Sequence, residues 1–171
     1  EGIEKLKERC REMHIRLETA DRALARISGK ENCFAAAVVQ KTVQPLSGER
    51  HVVLHHISDA GNLGTILRTA LGFGYRDVAV IRPAADPFDP HVIRASMGAM
   101  FSLRLREYEC FEDYRQEFPQ QRLYSFMLDS SSPLRDGVAE HARCFSLIFG
   151  NEGAGLPPEF AKMGRPLRIP Q

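Results

Sequence analysis

Hydrophobic and polar residues follow two alternating patterns along most of the chain. Short apolar runs, typical of buried strands, alternate with segments whose apolar residues recur every three or four positions, typical of amphipathic helices. The predicted strands cover 51–57, 77–81, 102–108, 123–128, 144–150 and 165–169, and the predicted helices cover 62–74, 89–100, 111–118 and 157–163. This alternation predicts βαβ units, and therefore an α/β fold with a mostly parallel sheet flanked by helices.

The first part of the chain has a less regular pattern. Helical spacing over 2–13 is followed by strand-like alternation over 14–18, a second helical segment over 20–27 and an apolar run over 33–41 that predicts a closing strand. The segment after it clusters Pro, Ser and Gly, which is typical of a linker. We therefore predict two parts: residues 1–47, the end of a small α/β unit with its linker, and residues 48–171, the main domain.

The composition limits the class of protein. A chain of 171 residues with 43% hydrophobic content can bury one domain and carry an appendage. Its formal net charge of +1 means that a local patch, and not a basic tail, would have to hold any nucleic acid. The 4 cysteines are far apart, and neither a signal peptide nor a membrane-spanning run is present, so we expect a reduced, cytoplasmic protein.

The adjacent histidines His55 and His56 fall in the first predicted strand of the main domain. Neighbouring residues on a strand point to opposite faces, so the two rings cannot readily bind one metal ion together. We predict two ordinary strand histidines and no metal site.

The segment "DAGNLGTILRTALGFG" (59–74) runs from a polar turn into an amphipathic helix. Asn62 lies near the start of that helix, where its side-chain oxygen can cap free backbone N–H groups. Arg68 lies at the edge of the apolar face, so its stem can pack on the core while the guanidinium reaches a cleft. Taken alone, this pattern fits a capped helix with a surface arginine equally well.

Two further segments have unusual composition. In "LIFGNEGAGLPPEF" (147–160), an apolar strand leads into a turn of small residues that can present main-chain groups to a flat ligand. It matches neither the G-x-G-x-x-G fingerprint nor a P-loop, so no phosphate cradle is indicated. In "IRASMGAMF" (93–101), Arg94 and Ser96 offer a guanidinium and a hydroxyl to a phosphate or sugar, although a solvated helix end explains them as well.

In this order and spacing, the three segments resemble the SpoU (TrmH) family of RNA ribose 2′-O-methyltransferases, within the SPOUT superfamily. The resemblance covers residues 51–171. It implies a C-terminal trefoil knot, a rare exception to the rule against knotted chains. It also implies S-adenosylmethionine as cofactor, ribosomal or transfer RNA as substrate, and a homodimer. Residues 1–47 would then be the tail of an RNA substrate-binding domain.

The resemblance also implies roles for individual residues. The catalytic residues would be Asn62, Arg68 and Glu152; the cofactor would contact Gly150, Asn151, Gly155, Leu156, Ile169 and Pro170; RNA would contact Arg68, Arg94 and Ser96. Further candidates for RNA backbone contacts are Arg22, Arg26, Arg104 and Arg106. The family's third motif, a Ser-Leu-Asn segment after the Ile-Pro strand, is missing, so the methyltransferase domain is expected to be truncated before it.

Three functions fit these residues to different degrees. The first is methylation of a ribose 2′-hydroxyl; the second is a catalytically inactive RNA-binding protein of the same fold; the third is a nucleotide-binding oxidoreductase, which ranks last because the glycine fingerprint is absent. In the first, Arg68 stays protonated and would stabilise phosphate and alkoxide charge, although a role as base is also proposed for the family. Glu152 would orient Arg68 or Asn62, or would instead satisfy amides of its own turn.

Overall fold

The structure is a computed structural model that describes residues 2–27, 33–128, 132, 134 and 142–169. The chain divides into two compact units, Glu1–Gln40 and Lys41–Gln171. The first contains the predicted helices α1 (Gly2–Glu12) and α2 (Asp21–Ile27).

The two strands predicted in the first unit, over 14–18 and 33–41, are not formed in the described residues. A strand needs a hydrogen-bonded neighbour and a face to bury. The second of these segments instead exposes its apolar side chains, with Phe34 80% and Val38 102% exposed. The prediction of strands was therefore wrong here, because an alternating or continuous apolar pattern does not by itself supply a partner strand.

The second unit is built on a six-stranded sheet in the order β3-β2-β1-β5-β4-β6. All the recorded pairings are parallel, which confirms the predicted α/β fold with its parallel sheet. The strands are β1 (Arg50–His55), β2 (Asp77–Ile81), β3 (Arg104–Tyr108), β4 (Arg122–Phe126), β5 (Phe145–Phe149) and β6 (Arg165–Leu167).

Helices cover both faces of this sheet. They are α3 (Ala60–Gly72), α4 (Pro90–Ala95), a 3₁₀ helix (Ala99–Ser102), α5 (Phe111–Glu117) and α6 (Phe160–Met163). One hydrophobic cluster joins the sheet to α3 and α4 through Leu63, Leu67 and Val92; the other joins it to α5 and α6 through Tyr114 and Phe160. The helix predicted over 89–100 is divided in two because Met97 and Gly98 have positive φ angles of 52° and 83°.

The strand order creates a crevice between β1 and β5. From β1 the chain steps outwards through β2 and β3, whereas β5, β4 and β6 all lie on the other side of β1. The loops that follow β1 and β5 therefore lead away from a shared boundary at the carboxyl end of the sheet. In open parallel sheets, ligands bind at such a switch point.

A buried hydrogen-bond network lies at the opposite, amino end of these strands. His51 Nε2 accepts from the Gly48 N–H at 3.1 Å, so its Nδ1–H donates to the Tyr114 hydroxyl at 2.8 Å. The Tyr114 hydroxyl is also 2.6 Å from Ser146 Oγ. Burial lowers the pKa of His51, so the ring is neutral at pH 7 and both ring nitrogens are used.

Candidate active site

The start of α3 places Asn62 in the crevice. The helix is capped by Asp59, whose carboxylate accepts from the Asn62 backbone N–H at 2.7 Å, and not by Asn62 as predicted. Because Asp59 takes the capping role, the Asn62 side chain is free to reach across the switch point. Its Nδ2 donates to Glu152 Oε1 at 3.0 Å, a contact between residues 90 positions apart in sequence.

The loop after β5 is organised by Asn151. Its Oδ1 accepts from the backbone N–H groups of Gly153 and Ala154 at 2.9 and 3.0 Å, and its carbonyl accepts from the Gly155 N–H at 2.8 Å. Asn151, and not Glu152, therefore satisfies the amides of this turn. At Gly150, a Cβ atom would lie 2.3–2.4 Å from main-chain atoms of Gly155 and Leu156, so glycine is required for this close approach.

Asn151 also links this loop to the end of β1. Its Nδ2 lies 3.0 Å from the His56 carbonyl oxygen, 3.3 Å from Ser58 Oγ and 3.2 Å from Glu152 Oε2. The Glu152 carboxylate is thus held by two side-chain amides, one from each side of the crevice. It stays exposed, so it can orient Asn62 and still accept a further hydrogen bond.

Arg68 is exposed on α3 and makes no hydrogen bond or ion pair with any described residue. It follows Asn62 by six positions, which is roughly 240° around the helix and 9 Å along it. Of the two partners predicted for Glu152, the structure brings Asn62 into contact and leaves Arg68 apart. An unpaired guanidinium in this position is available to an anionic ligand.

The other predicted RNA contacts differ in accessibility. Arg94 is exposed, but Ser96 is buried and its hydroxyl donates to the Ile93 carbonyl at 2.8 Å. Arg104 donates twice to Asp77 at 2.6 Å, and Arg106 donates to Glu117 at 2.6 Å. The structure therefore commits Ser96, Arg104 and Arg106 to protein partners and gives their RNA roles no support. Arg22 and Arg26 lie on α2, in the first unit.

A cleft of ≈ 730 Å³ adjoins the Asn151 network. Of the predicted cofactor residues, Asn151, Gly155 and Leu156 line it and Gly150 does not. Ile169 lies beyond the end of β6 and is 55% exposed, and Pro170 lies outside the described residues. The remaining lining residues are His55, His56, Ser58, Pro83, Ala84, Ala85, Ala154, Pro157 and Pro158.

The sequence positions of the two histidines of this cleft predicted that they point to opposite faces of the sheet. This prediction was wrong. His56 lies beyond the end of β1 with a φ of 61°, which turns its ring onto that of His55 at a centroid distance of 3.7 Å. His55 is 6% exposed, and its buried Nδ1 has no hydrogen-bond partner among the described residues. Burial, and then the neighbouring His56 ring, lower the pKa of His55 to about 4. Sequence reasoning missed this stacked pair because the end of a strand cannot be placed to one residue.

The lowered pKa of His55 predicts an acid-sensitive fold. An unfolded histidine has a pKa of about 6.5, whereas that of folded His55 is about 4. As the pH is lowered from 6.5 to about 4, the unfolded chain therefore binds more protons than the folded one, and the free energy of unfolding decreases. We expect His55 alone to contribute up to about 3 kcal/mol of this loss. Urea denaturation at several pH values measures it. A His55→Gln variant should show a shallower dependence of unfolding free energy on pH, and an unchanged dependence would contradict the assignment.

Within the described part of the chain, no helix is long and apolar enough to cross a membrane. The same residues contain no group of three or more His, Cys, Asp or Glu side chains placed to hold a metal ion. The described groups at the switch point are side-chain amides, the carboxylates of Asp59 and Glu152, and two imidazoles, with the Arg68 guanidinium further along α3.

Comparison with known proteins relates this chain to RNA methyltransferases. The chain is 31% identical over 124 residues to the Bacillus subtilis 23S rRNA (guanosine(2553)-2′-O)-methyltransferase RlmP, covering 71% of this chain and 49% of that protein. A putative RNA methyltransferase of the TrmH family from Porphyromonas gingivalis has a similar structure (TM-score 0.66, 32% identity, 75% of this chain and 52% of the other). So has an AdoMet-bound rRNA methyltransferase from Sinorhizobium meliloti (TM-score 0.63, 30% identity, 75% and 50%).

The chain spans between 21% and 49% of the length of the first curated relatives that it matches. The model of the SpoU rRNA Methylase family matches residues 49–171, which contain the whole sheet and all three of the segments that carried the resemblance. The chain therefore belongs to the SpoU rRNA Methylase family.

Proposed function

We propose that this chain carries the catalytic domain of an enzyme that methylates a ribose 2′-hydroxyl of ribosomal or transfer RNA, with S-adenosylmethionine as methyl donor. The observation that carries the proposal is the 3.0 Å hydrogen bond between Asn62 and Glu152, which joins two distant family segments at the switch point of the sheet. Support also comes from the Bacillus relative, named as a ribose 2′-O-methyltransferase, and from the Sinorhizobium structure, named as AdoMet-bound.

The loop after β5 fits the proposed cofactor. Gly155 has a φ of 70°, and a Cβ atom there would meet nothing within 4 Å, so its main chain borders open space. We propose that Gly150, Asn151, Gly155 and Leu156 hold the cofactor together with Ile169 and Pro170, as the resemblance implies. When bound, S-adenosylmethionine supplies an electrophilic methyl group on a sulfonium centre.

The residues of the chain would then position the ribose. Asn62 donates through Nδ2 to Glu152, which leaves its Oδ1 without a described partner and able to accept from the ribose hydroxyl. Arg68, permanently charged, would bind an RNA phosphate and stabilise the negative charge that develops on the attacking oxygen. Proton loss would go to phosphate or water, since a guanidinium is a poor base.

Methyl transfer tests this function directly. Purified protein is incubated with S-adenosylmethionine labelled in the methyl group and with unmodified ribosomal or transfer RNA. Label at one linkage that resists alkaline hydrolysis would support ribose methylation and identify the RNA class. Absence of label, with RNA binding but no cofactor binding, would instead support the inactive RNA-binding protein.

Glu152 provides a sharper test of the site. Each oxygen of the Glu152 carboxylate accepts a hydrogen bond from an asparagine NH₂ group, one from Asn62 and one from Asn151. Glu152→Gln replaces one of these oxygens with an NH₂ group, which cannot accept, so Asn62 or Asn151 would lose its partner. We expect a fall of about 100-fold in single-turnover rate, the order of loss that a small misplacement causes, with little change in cofactor affinity.

Calorimetric titration of the cofactor and quenched-flow methyl transfer separate these two effects. Glu159→Gln serves as the matched control, because Glu159 is exposed and, although it holds the N-cap position of α6, its side chain makes no capping hydrogen bond. A full transfer rate in Glu152→Gln would contradict the orienting role, and unfolding of the variant would assign Glu152 to the fold.

We also propose that the enzyme works as a homodimer and that residues 1–47 contribute to RNA docking, as the resemblance implies, and that it works in the cytoplasm, as its scattered cysteines suggest. Sedimentation velocity of the purified chain measures the first of these. Comparison of RNA affinity with and without the first compact unit, residues 1–40, measures the second and keeps Leu46 and Ser47, which belong to the second unit.

A further inference from the structure

The cleft lined by His55 and His56, called the histidine cleft below, lies on the β1 side of the loop after β5. Its lining comes from that loop and from the ends of β1 and β2, at His55, His56 and Pro83–Ala85. The proposed cofactor residue Ile169 follows β6, which is separated from β5 by β4. Since neighbouring strands are about 4.8 Å apart, the cleft and the end of β6 flank the β5 loop from opposite sides.

The cleft has the chemistry of a site for a planar ring. Its volume of ≈ 730 Å³ falls within the range of about 300–1,000 Å³ that is usual for small-ligand sites. Its walls are prolines and small side chains, including Pro83, Ala84 and Pro157, with Ser58 and Asn151 as polar groups. Proteins that read single-stranded RNA stack unpaired bases on aromatic rings, histidine among them.

The stacked histidines provide such a surface. One face of the half-buried His56 ring packs on His55, and no other ring of the described residues contacts it. His55, in turn, packs edge to face with the ring of Phe160 on α6, which holds the stacked pair in place. The orphaned Nδ1 of His55 is a polar atom, on a side chain only 6% exposed, that no described residue satisfies. A buried group of this kind calls for a partner that the described residues do not supply.

We propose that this cleft receives the base of the RNA nucleotide whose ribose is methylated, with His56 as the stacking surface and His55 as the polar group at its floor. The inference rests on the proposed function, since it assigns the acceptor side of the same site. Asn151 connects the two sides: it lines the cleft and lies 3.2 Å from the Glu152 carboxylate that holds Asn62. A base in the cleft therefore places its own ribose near Asn62. Gly155 and Leu156, which also line the cleft, would then border the base on one side of their loop, while the cofactor contacts the same loop from the β6 side.

Ring-current shifts in the wild-type protein test this placement without any reaction. The imidazole proton signals of His55 and His56 are followed by NMR during titration with adenosine, guanosine, cytidine and uridine 5′-monophosphates, and separately with S-adenosylhomocysteine. We expect at least one nucleotide to move both signals and to leave the exposed His91 unmoved. Histidine signals that respond to S-adenosylhomocysteine alone would assign the cleft to the adenine of the cofactor and overturn the proposal.

A variant gives a second, independent measurement. His56→Asn removes the ring but tolerates the left-handed φ of 61°, so the turn is preserved. We expect RNA to bind roughly 5- to 150-fold more weakly, the loss that removal of a base-stacking side chain causes, while cofactor affinity stays unchanged. His91→Ala is the control. Unaltered RNA affinity, in a variant with a wild-type melting temperature, would overturn the inference.

The two proposals fail in different ways. If wild-type protein transfers methyl groups to RNA but His56→Asn binds RNA normally, the base site is wrong and the function stands. If nucleotides shift the His56 signal but no RNA is methylated, the base site stands as an RNA-binding cleft and the catalytic function is wrong.

Discussion

Replacing Arg68 with alanine is expected to lower the rate of methyl transfer about 100- to 1,000-fold and to leave the fold intact. The side chain is exposed on α3 and makes no hydrogen bond or ion pair with any described residue, so its removal breaks no such bond in that part of the chain. A guanidinium without a partner among the described residues is free to act on the phosphate and on the attacking oxygen. Arg68→Lys should recover only part of the rate, because an ammonium cannot form the bidentate contact.

Single-turnover methyl transfer and thermal unfolding, measured on the same preparations, test this expectation. Arg115→Ala is the matched control, since Arg115 is also exposed but lies on α5, which packs on the opposite face of the sheet from α3. A rate for Arg68→Ala that equals that of Arg115→Ala would remove Arg68 from the mechanism.

The sequence predicted the sheet well because each strand and helix of the second unit has its own apolar pattern. Segments buried on both faces, such as β2, are continuous apolar runs, and α3 shows the spacing of a helix packed on one side. The strands predicted over 14–18 and 33–41 did not form. An apolar pattern indicates what a strand would bury, but not whether a neighbouring strand is present to pair with it.

The site was predicted in part. The identities of Asn62 and Glu152 followed from the resemblance, but their contact depends on strand order. That order places β5 beside β1, although 89 residues separate the end of β1 at His55 from the start of β5 at Phe145. The cap was assigned to Asn62 and belongs to Asp59, three residues earlier, because the helix begins at Ala60 and not at the predicted residue 62. The stacking of His55 on His56 depends on a single positive φ angle that no pattern in the sequence reveals.

Arg104 was also a candidate for an RNA contact in the sequence. In the structure its guanidinium instead contacts Asp77 within the protein. Arg104 and Asp77 are directly opposite on β3 and β2, and their side chains form two hydrogen bonds of 2.6 Å. Ser47, in the segment leading to β1, adds two more to the same carboxylate at 2.8 Å through its N–H and its hydroxyl. With Asp77 only 3% exposed, four donors converge on one buried anion.

Asp77→Ala is therefore expected to destabilise the fold by about 3–5 kcal/mol, since it leaves Arg104 without its partner and frees Ser47. Burial raises the pKa of Asp77, but the hydrogen bonds from Arg104 and Ser47 outweigh it and lower that pKa overall. The stabilisation is thus fully present above the unfolded pKa of about 3.9 and is lost as pH falls through the lower folded value.

Urea denaturation at pH 7 measures the loss of stability in Asp77→Ala, with Glu109→Ala as the control. The Arg82–Glu109 pair is an exposed ion pair, so breaking it should cost about 1 kcal/mol or less. Equal losses in the two variants would show that the Asp77 cluster adds no more than a surface pair, and Arg104 would again be a candidate for RNA.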